Sequence, residues 1–216
     1  MMSAEIRAIK EKYNYDFSIL LEYIENNEED KVDNELKNIA DFLYNKLRRK
    51  RKIDEWERRK KCRPIFAFAE CIDIDVRIGQ INEGIKGYIS IDGDNRNTFD
   101  SDKVIVINSK IKSEYVQKII VLHEIAYYIF DFNETNEYHY AHIYHFSDDE
   151  ENNNPKEILA NKFVRAILLP KEEFTYYHDR ISKQEHMTYY DLVKSLCEHF
   201  CVPADLVDKR IKELQL

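Results

Sequence analysis

His123 and Glu124 stand side by side in the stretch HEIAYYIF, residues 123–130. On a helix, positions i and i+4 share one face. Two histidines at that spacing can grip a zinc ion, and a glutamate beside the first can activate a metal-bound water. Here the position four residues after His123 holds Tyr127. The third ligand of such a site often comes from a glutamate on a following helix, and EILAN, residues 157–161, offers Glu157. The HE dipeptide alone carries little weight in a chain with 7 histidines.

Each of these residues also has a plainer reading. His123 could be a core histidine, and Glu124 a helical acid paired with Lys or Arg. Glu157 lies three positions after Asn154 and could complete a helix-capping box. Tyr127 could be a core aromatic or a ligand. As a ligand it would have to surrender a phenol proton with a free pKa of about 10. Its longer reach also carries the oxygen away from where an imidazole nitrogen would sit. His139, His142 and His145 recur every third residue in EYHYAHIYHF. They could supply a replacement ligand by folding back over the site, or decorate a surface hairpin or lid. Their spacing matches no established zinc pattern.

These residues need elements to position them. VQKIIVLHEIAYYIF is apolar nearly all round, which predicts a central buried helix. Asn154-Pro155 predicts the start of the next helix, with Asn as N-cap and Pro at the first position, and Pro170 its end. Thr188 with Asp191 predicts a cap for a helix through Phe200, and Pro203 opens a last helix to about Leu214. All 4 glycines, Gly79, Gly84, Gly87 and Gly93, fall in one short region, so turns concentrate there. PIFAFAECIDIDVRI, GYISID and KVIVIN read as strands, predicting a small sheet over 64–108. Residues 3–60 read as helices, with Leu36, Ile39, Leu43 and Leu47 on one apolar face.

A chain of 216 residues, 44% hydrophobic, can bury a substantial core in one domain, or in one domain with a small appendage. Its net charge of −8 conceals an asymmetry. Residues 48–63 carry ten Lys or Arg against three acids, +7 net, which leaves −15 for the rest. The global field repels nucleic acid, though the stripe Arg48 to Lys61 around Trp56 could contact phosphates locally. The final helix pair has helix-turn-helix spacing, but Asp205, Asp208 and Glu213 make it a poor recognition surface. Nucleic acid is therefore not expected as a partner. The four cysteines form no CxxC pair, which fits a reducing compartment. The opening MMSAEIRAIKEKY lacks the apolar core of a signal peptide, and no run reaches membrane-helix length. The expectation is a soluble, cytoplasmic protein with no membrane partner.

The flanks of His123 make the motif specific. KVIVINSKIKSEYVQKIIVLHEIAYYIF, then EILANKFVRAILLPKEEF, then LVKSLCEHFCVPADLVDKRIKEL resemble, in that order, the ImmA/IrrE family of zinc-dependent metallopeptidases. The resemblance covers about residues 64–216 and implies an α+β, zincin-like fold with a small sheet. Residues 1–60 form a helical N-terminal region of unknown role beside a 61–216 peptidase domain. Carried over by position, His123 corresponds to the first zinc ligand, Glu124 to the general base and Glu157 to the third ligand. Asn161 matches a motif asparagine, and Val164 stands where the family has a small residue. Tyr127 replaces the second ligand. The resemblance implies a bacterial or mobile-element endopeptidase whose zinc polarises a scissile carbonyl in a regulatory protein such as a repressor. With Tyr127 in place, weak or absent zinc binding and impaired activity are expected. The alternative is a pseudopeptidase that binds the same kind of partner without cutting it. A DNA-associated regulator using the basic stretch is a further alternative.

Overall fold

The computed structural model describes residues 4–13, 16–50, 65–91, 101–130, 140–142 and 154–216. The basic stretch beyond residue 50 lies outside them, as do His139 and His145.

Three helices open the chain: α1 (Ala4–Lys12), α2 (Ser18–Glu25) and α3 (Glu29–Lys50). Next come α4 (Ile65–Cys71), β1 (Asp75–Gly79), β2 (Gly87–Ile91) and β3 (Lys103–Asn108). The long helix α5 (Glu114–Phe130) is followed by a three-residue strand, β4 (Tyr140–His142). Four helices finish the chain: α6 (Pro155–Leu168), α7 (Lys171–Ser182), α8 (Tyr189–Phe200) and α9 (Ala204–Leu214). The architecture is α+β, as the sequence predicts. Among the described residues no helix is long and apolar enough to cross a membrane.

The sheet order is β1-β3-β2-β4. β3 runs parallel to β1 and antiparallel to β2, and β4 pairs antiparallel with the other side of β2. Every residue of β3 is buried, as expected of a central strand whose apolar run is nearly continuous.

One expectation fails. PIFAFAECIDIDVRI is not a strand throughout: Ile65–Cys71 is helical, and only Asp75–Gly79 joins the sheet. A short apolar run buried on most sides has no periodicity to separate helix from strand. Ile65, Ala67, Phe68, Ala69 and Cys71 are all buried in α4, which packs against both α3 and α5.

α5 is the centre of the molecule, and it contacts α1, α4, α6, β2 and β3. Every residue from Gln117 to Phe130 is buried, which accounts for the lack of a polar face. The N-terminal helices share this core: Ile6, Phe17, Leu20, Val32, Leu36, Ile39 and Leu43 belong to the same cluster as α5 and α6. Phe17 meets Phe130 edge-on at 5.3 Å, and Phe130 meets Phe163 of α6 at 5.7 Å.

A second fastening is ionic. Glu213 of α9 accepts from Arg165 at 3.0 Å, Lys162 at 3.1 Å and Arg210 at 2.7 Å. Lys162 also reaches Glu29 of α3, and Arg210 lies 3.7 Å from Asp33. The Arg210 Nε donates to the Leu169 carbonyl at 3.1 Å. Arg210, which could have faced a phosphate backbone, is thus turned inward, 3% exposed.

Candidate active site

Asn108, the last residue of β3, turns the chain toward α5. Its Nδ2 donates to the Ile85 carbonyl at 2.8 Å, and its Oδ1 accepts from the Lys110 N–H at 3.0 Å. The Ser113 Oγ then accepts from the Val116 N–H at 3.5 Å, satisfying a donor of the first turn of α5. Further along, α5 presents His123, Glu124 and Tyr127, all buried.

α6 brings the other half. Asn154 caps it by accepting from the Lys156 N–H at 3.0 Å, with Pro155 at the first position, as its sequence predicts. Glu157 lies in the first turn, and its carboxylate is directed at α5. The Tyr127 hydroxyl donates to Glu157 Oε1, and His123 Nε2 lies 3.4 Å from Glu157 Oε2. The rings of His123 and Tyr127 are 5.2 Å apart and inclined by 32°. The structure therefore gathers all four residues singled out from the sequence. Asn161 is one turn further along α6, its Oδ1 buried without a hydrogen-bond partner among the described residues.

The electrostatics follow from burial. Glu124 is 1% exposed. Burial pushes its carboxyl well above the ordinary value, the Ile89 backbone N–H pulls it back in part, and the Glu157 charge raises it further. Its Oε2 has no hydrogen-bond partner among the described residues. Burial also raises the Tyr127 phenol, followed by its hydrogen bond to Glu157 and the charges of Glu157 and Glu124. Tyr127 is thus held as a protonated donor.

Two groups that sequence reasoning missed position Glu124: the Ile89 N–H and Gly87. A Cβ on Gly87 would sit 2.4 Å from Ile120 Cγ2 and 3.1 Å from the Val106 carbonyl oxygen. Only glycine lets β2 lie this close to α5, and this closeness brings Ile89 to Glu124. The visible signal was a glycine opening the strand GYISID.

The donors can be tested against zinc. Two donors of a tetrahedral zinc stand about 3.3 Å apart, given metal–ligand lengths of roughly 2.0–2.1 Å. His123 Nε2 and Glu157 Oε2 have that spacing. Among the described residues no third protein donor of a catalytic zinc is present, because Tyr127 presents a proton to Glu157 where a ligand would present a lone pair. Among the described residues no group of three or more His, Cys, Asp or Glu is arranged to hold a metal. Of His142 only the backbone, in β4, is described. The described residues do not by themselves complete a zinc site.

No curated protein matches the chain. A family model, described as the IrrE N-terminal-like domain of peptidase family M78, matches residues 69–212, about two thirds of the length. That range takes in the sheet, the His–Glu pair of α5 and the glutamate of α6. With the order of elements and the converging side chains in agreement, the chain belongs to this IrrE-like metallopeptidase family.

Proposed function

We propose that the chain is a metallopeptidase-family protein whose metal centre is disabled by Tyr127. On this reading it recognises a regulatory protein, such as a repressor, inside the cell and cuts it weakly or not at all. The family is generally zinc-dependent. The observation that carries the reading is the hydrogen bond from Tyr127 to Glu157, which spends the second ligand position and one carboxylate oxygen on each other. Loss of a direct ligand should weaken zinc more than loss of an outer partner, which already costs about 10–100-fold. The fold does not depend on the metal, because α5 is held by Ile119, Ile120, Leu122, Ile125 and Ile129, all fully or almost fully buried.

One observation favours a second reading, a working zinc enzyme: the ligand-like spacing of His123 and Glu157. Zinc content separates the two. Protein purified without chelator should hold well under one zinc per chain. Tyr127→His should hold one, and should cleave a candidate repressor encoded nearby. Glu124→Gln in that background should abolish the cleavage. One tight zinc in the unaltered protein, or none in the Tyr127→His variant, would overturn the proposal.

A further inference from the structure

β1 is an outer strand of the sheet. One side pairs with β3, and among the described residues no strand pairs with the other. β3 separates this edge from β2 and from the residues around Glu124. The Ser109 N–H donates to the Gly79 carbonyl at 2.7 Å, so Gly79 turns its backbone polar groups toward β3. Alternation puts those of Arg77 and Asp75 on the same side and leaves the N–H and C=O of Val76 and Ile78 facing outward. The side chains alternate too. Asp75 and Arg77 share one face of the sheet, where the guanidinium bonds the carboxylate at 2.7 Å. Val76 and Ile78 share the other. Val76 packs against the core, whereas Ile78 is 60% exposed.

Charges on a bare edge usually repel foreign strands. Here they have opposite signs two positions apart, and that favours one self-pairing. Let β1 of a second copy run antiparallel along this edge, about a two-fold axis at Val76. The two Val76 residues then exchange backbone hydrogen bonds. Asp75 of each copy stands opposite Arg77 of the other, in pairs without backbone bonds, where side chains come closest. Ile78 comes opposite Ile74 of the other copy, and its N–H finds the Ile74 carbonyl; the Ile74 N–H already bonds the Ala69 carbonyl. The exposed Ile78 side chain is thereby laid along an apolar face. Centring the axis on Arg77 instead would set Arg77 against Arg77, so the charges select the first register.

We propose that β1 is a self-association edge, joining two copies of the chain into one continuous sheet by antiparallel pairing centred on Val76. A strand of 5 residues makes a small interface, so the dimer forms and dissociates readily. The proposal is independent of the Tyr127 reading, and its test has no zinc-dependent readout.

Sedimentation equilibrium of the full chain over a range of concentrations should show a reversible monomer–dimer equilibrium. Asp75→Arg and Arg77→Asp each set like charges opposite one another at both crossings, and each should weaken association at least about 10-fold. An equimolar mixture of the two variants pairs a copy with two cations at these positions against a copy with two anions. It should dimerise about as strongly as the unaltered chain. Ile78→Lys changes an exposed position, leaves the fold intact and should weaken association at least about 3-fold. An unaltered chain that stays monomeric up to roughly 1 mM would overturn the proposal. So would a dimer that neither reversal weakens, or a mixture of the two folded variants that stays monomeric. Should a reversed variant fail to fold, Ile78→Lys decides, and unchanged association in that variant overturns the proposal.

Discussion

The proposed loss of the metal centre turns on one residue, Tyr127. Its hydroxyl donates a proton to the carboxylate that the family pattern makes a metal ligand, so a hydrogen bond ties α5 to α6. Tyr127→Phe keeps the ring and removes the donor. The expected cost is about 1–2 kcal/mol, because a carboxylate oxygen loses its partner in a largely buried place. For a chain of this size that is a melting temperature lower by about 2–8 °C. An unchanged melting curve would show that the bond holds nothing. The substitution itself was legible in the sequence, because a strict i, i+4 rule makes a missing histidine conspicuous. The consequence was not legible, because no spacing rule says that a tyrosine hydroxyl would turn to Glu157.

At the level of elements, Gly87 controls how β2 meets α5. Gly87→Ala would push a methyl group into Ile120, itself 1% exposed, and toward the Val106 carbonyl. A cost of about 1–3 kcal/mol is expected from such overpacking, measured as a lower denaturant midpoint at constant slope. The starts of the later helices were legible, because Asn154-Pro155 and Thr188 with Asp191 are chemical signals that act locally. In the structure Asn154 and Thr188 both cap as expected. Helix ends were harder. α2 is followed by Asn27, α4 by Asp73 and α9 by Gln215, each with positive φ where a glycine would be the visible mark. After α4, the Ile74 N–H bonds the Ala69 carbonyl and the Asp73 N–H the Glu70 carbonyl, a left-handed cap without glycine. This cap closes a helix within a run that alternation had assigned to strand.

Across the whole molecule, the ionic fastening of α3, α6 and α9 should set the response to acid. Burial alone would raise the Glu213 carboxyl, but Arg165, Lys162 and Arg210 outweigh it and hold it well below the usual range. A depressed folded pKa stabilises above the unfolded value of roughly 4.3, and the gain is lost as pH falls below it. Asp33 has the opposite sign: burial raises it more than Arg210 lowers it, so its contribution favours the acid side. Comparing Glu213→Gln with the unaltered chain isolates the first effect. The substitution should cost about 3–5 kcal/mol at pH 7 by leaving buried cations short of a partner. That cost should shrink steadily below about pH 4 in urea melts. A cost independent of pH would mean that the carboxylate's charge plays no part.

The same fastening constrains the order in which the chain can assemble. Lys162 finds Glu29 133 positions away, and Glu213 must arrive from α9 to complete the set. Contacts this remote in sequence form late, after local helices have already appeared. Until α9 docks, α3 is held by its apolar stripe and by pairs such as Lys162–Glu29, and the two cations of α6, Lys162 and Arg165, wait without their principal counter-ion. Docking of α9 is then a charge-neutralising step, which brings Glu213 to Lys162 and Arg165, and Arg210 to Asp33 of α3.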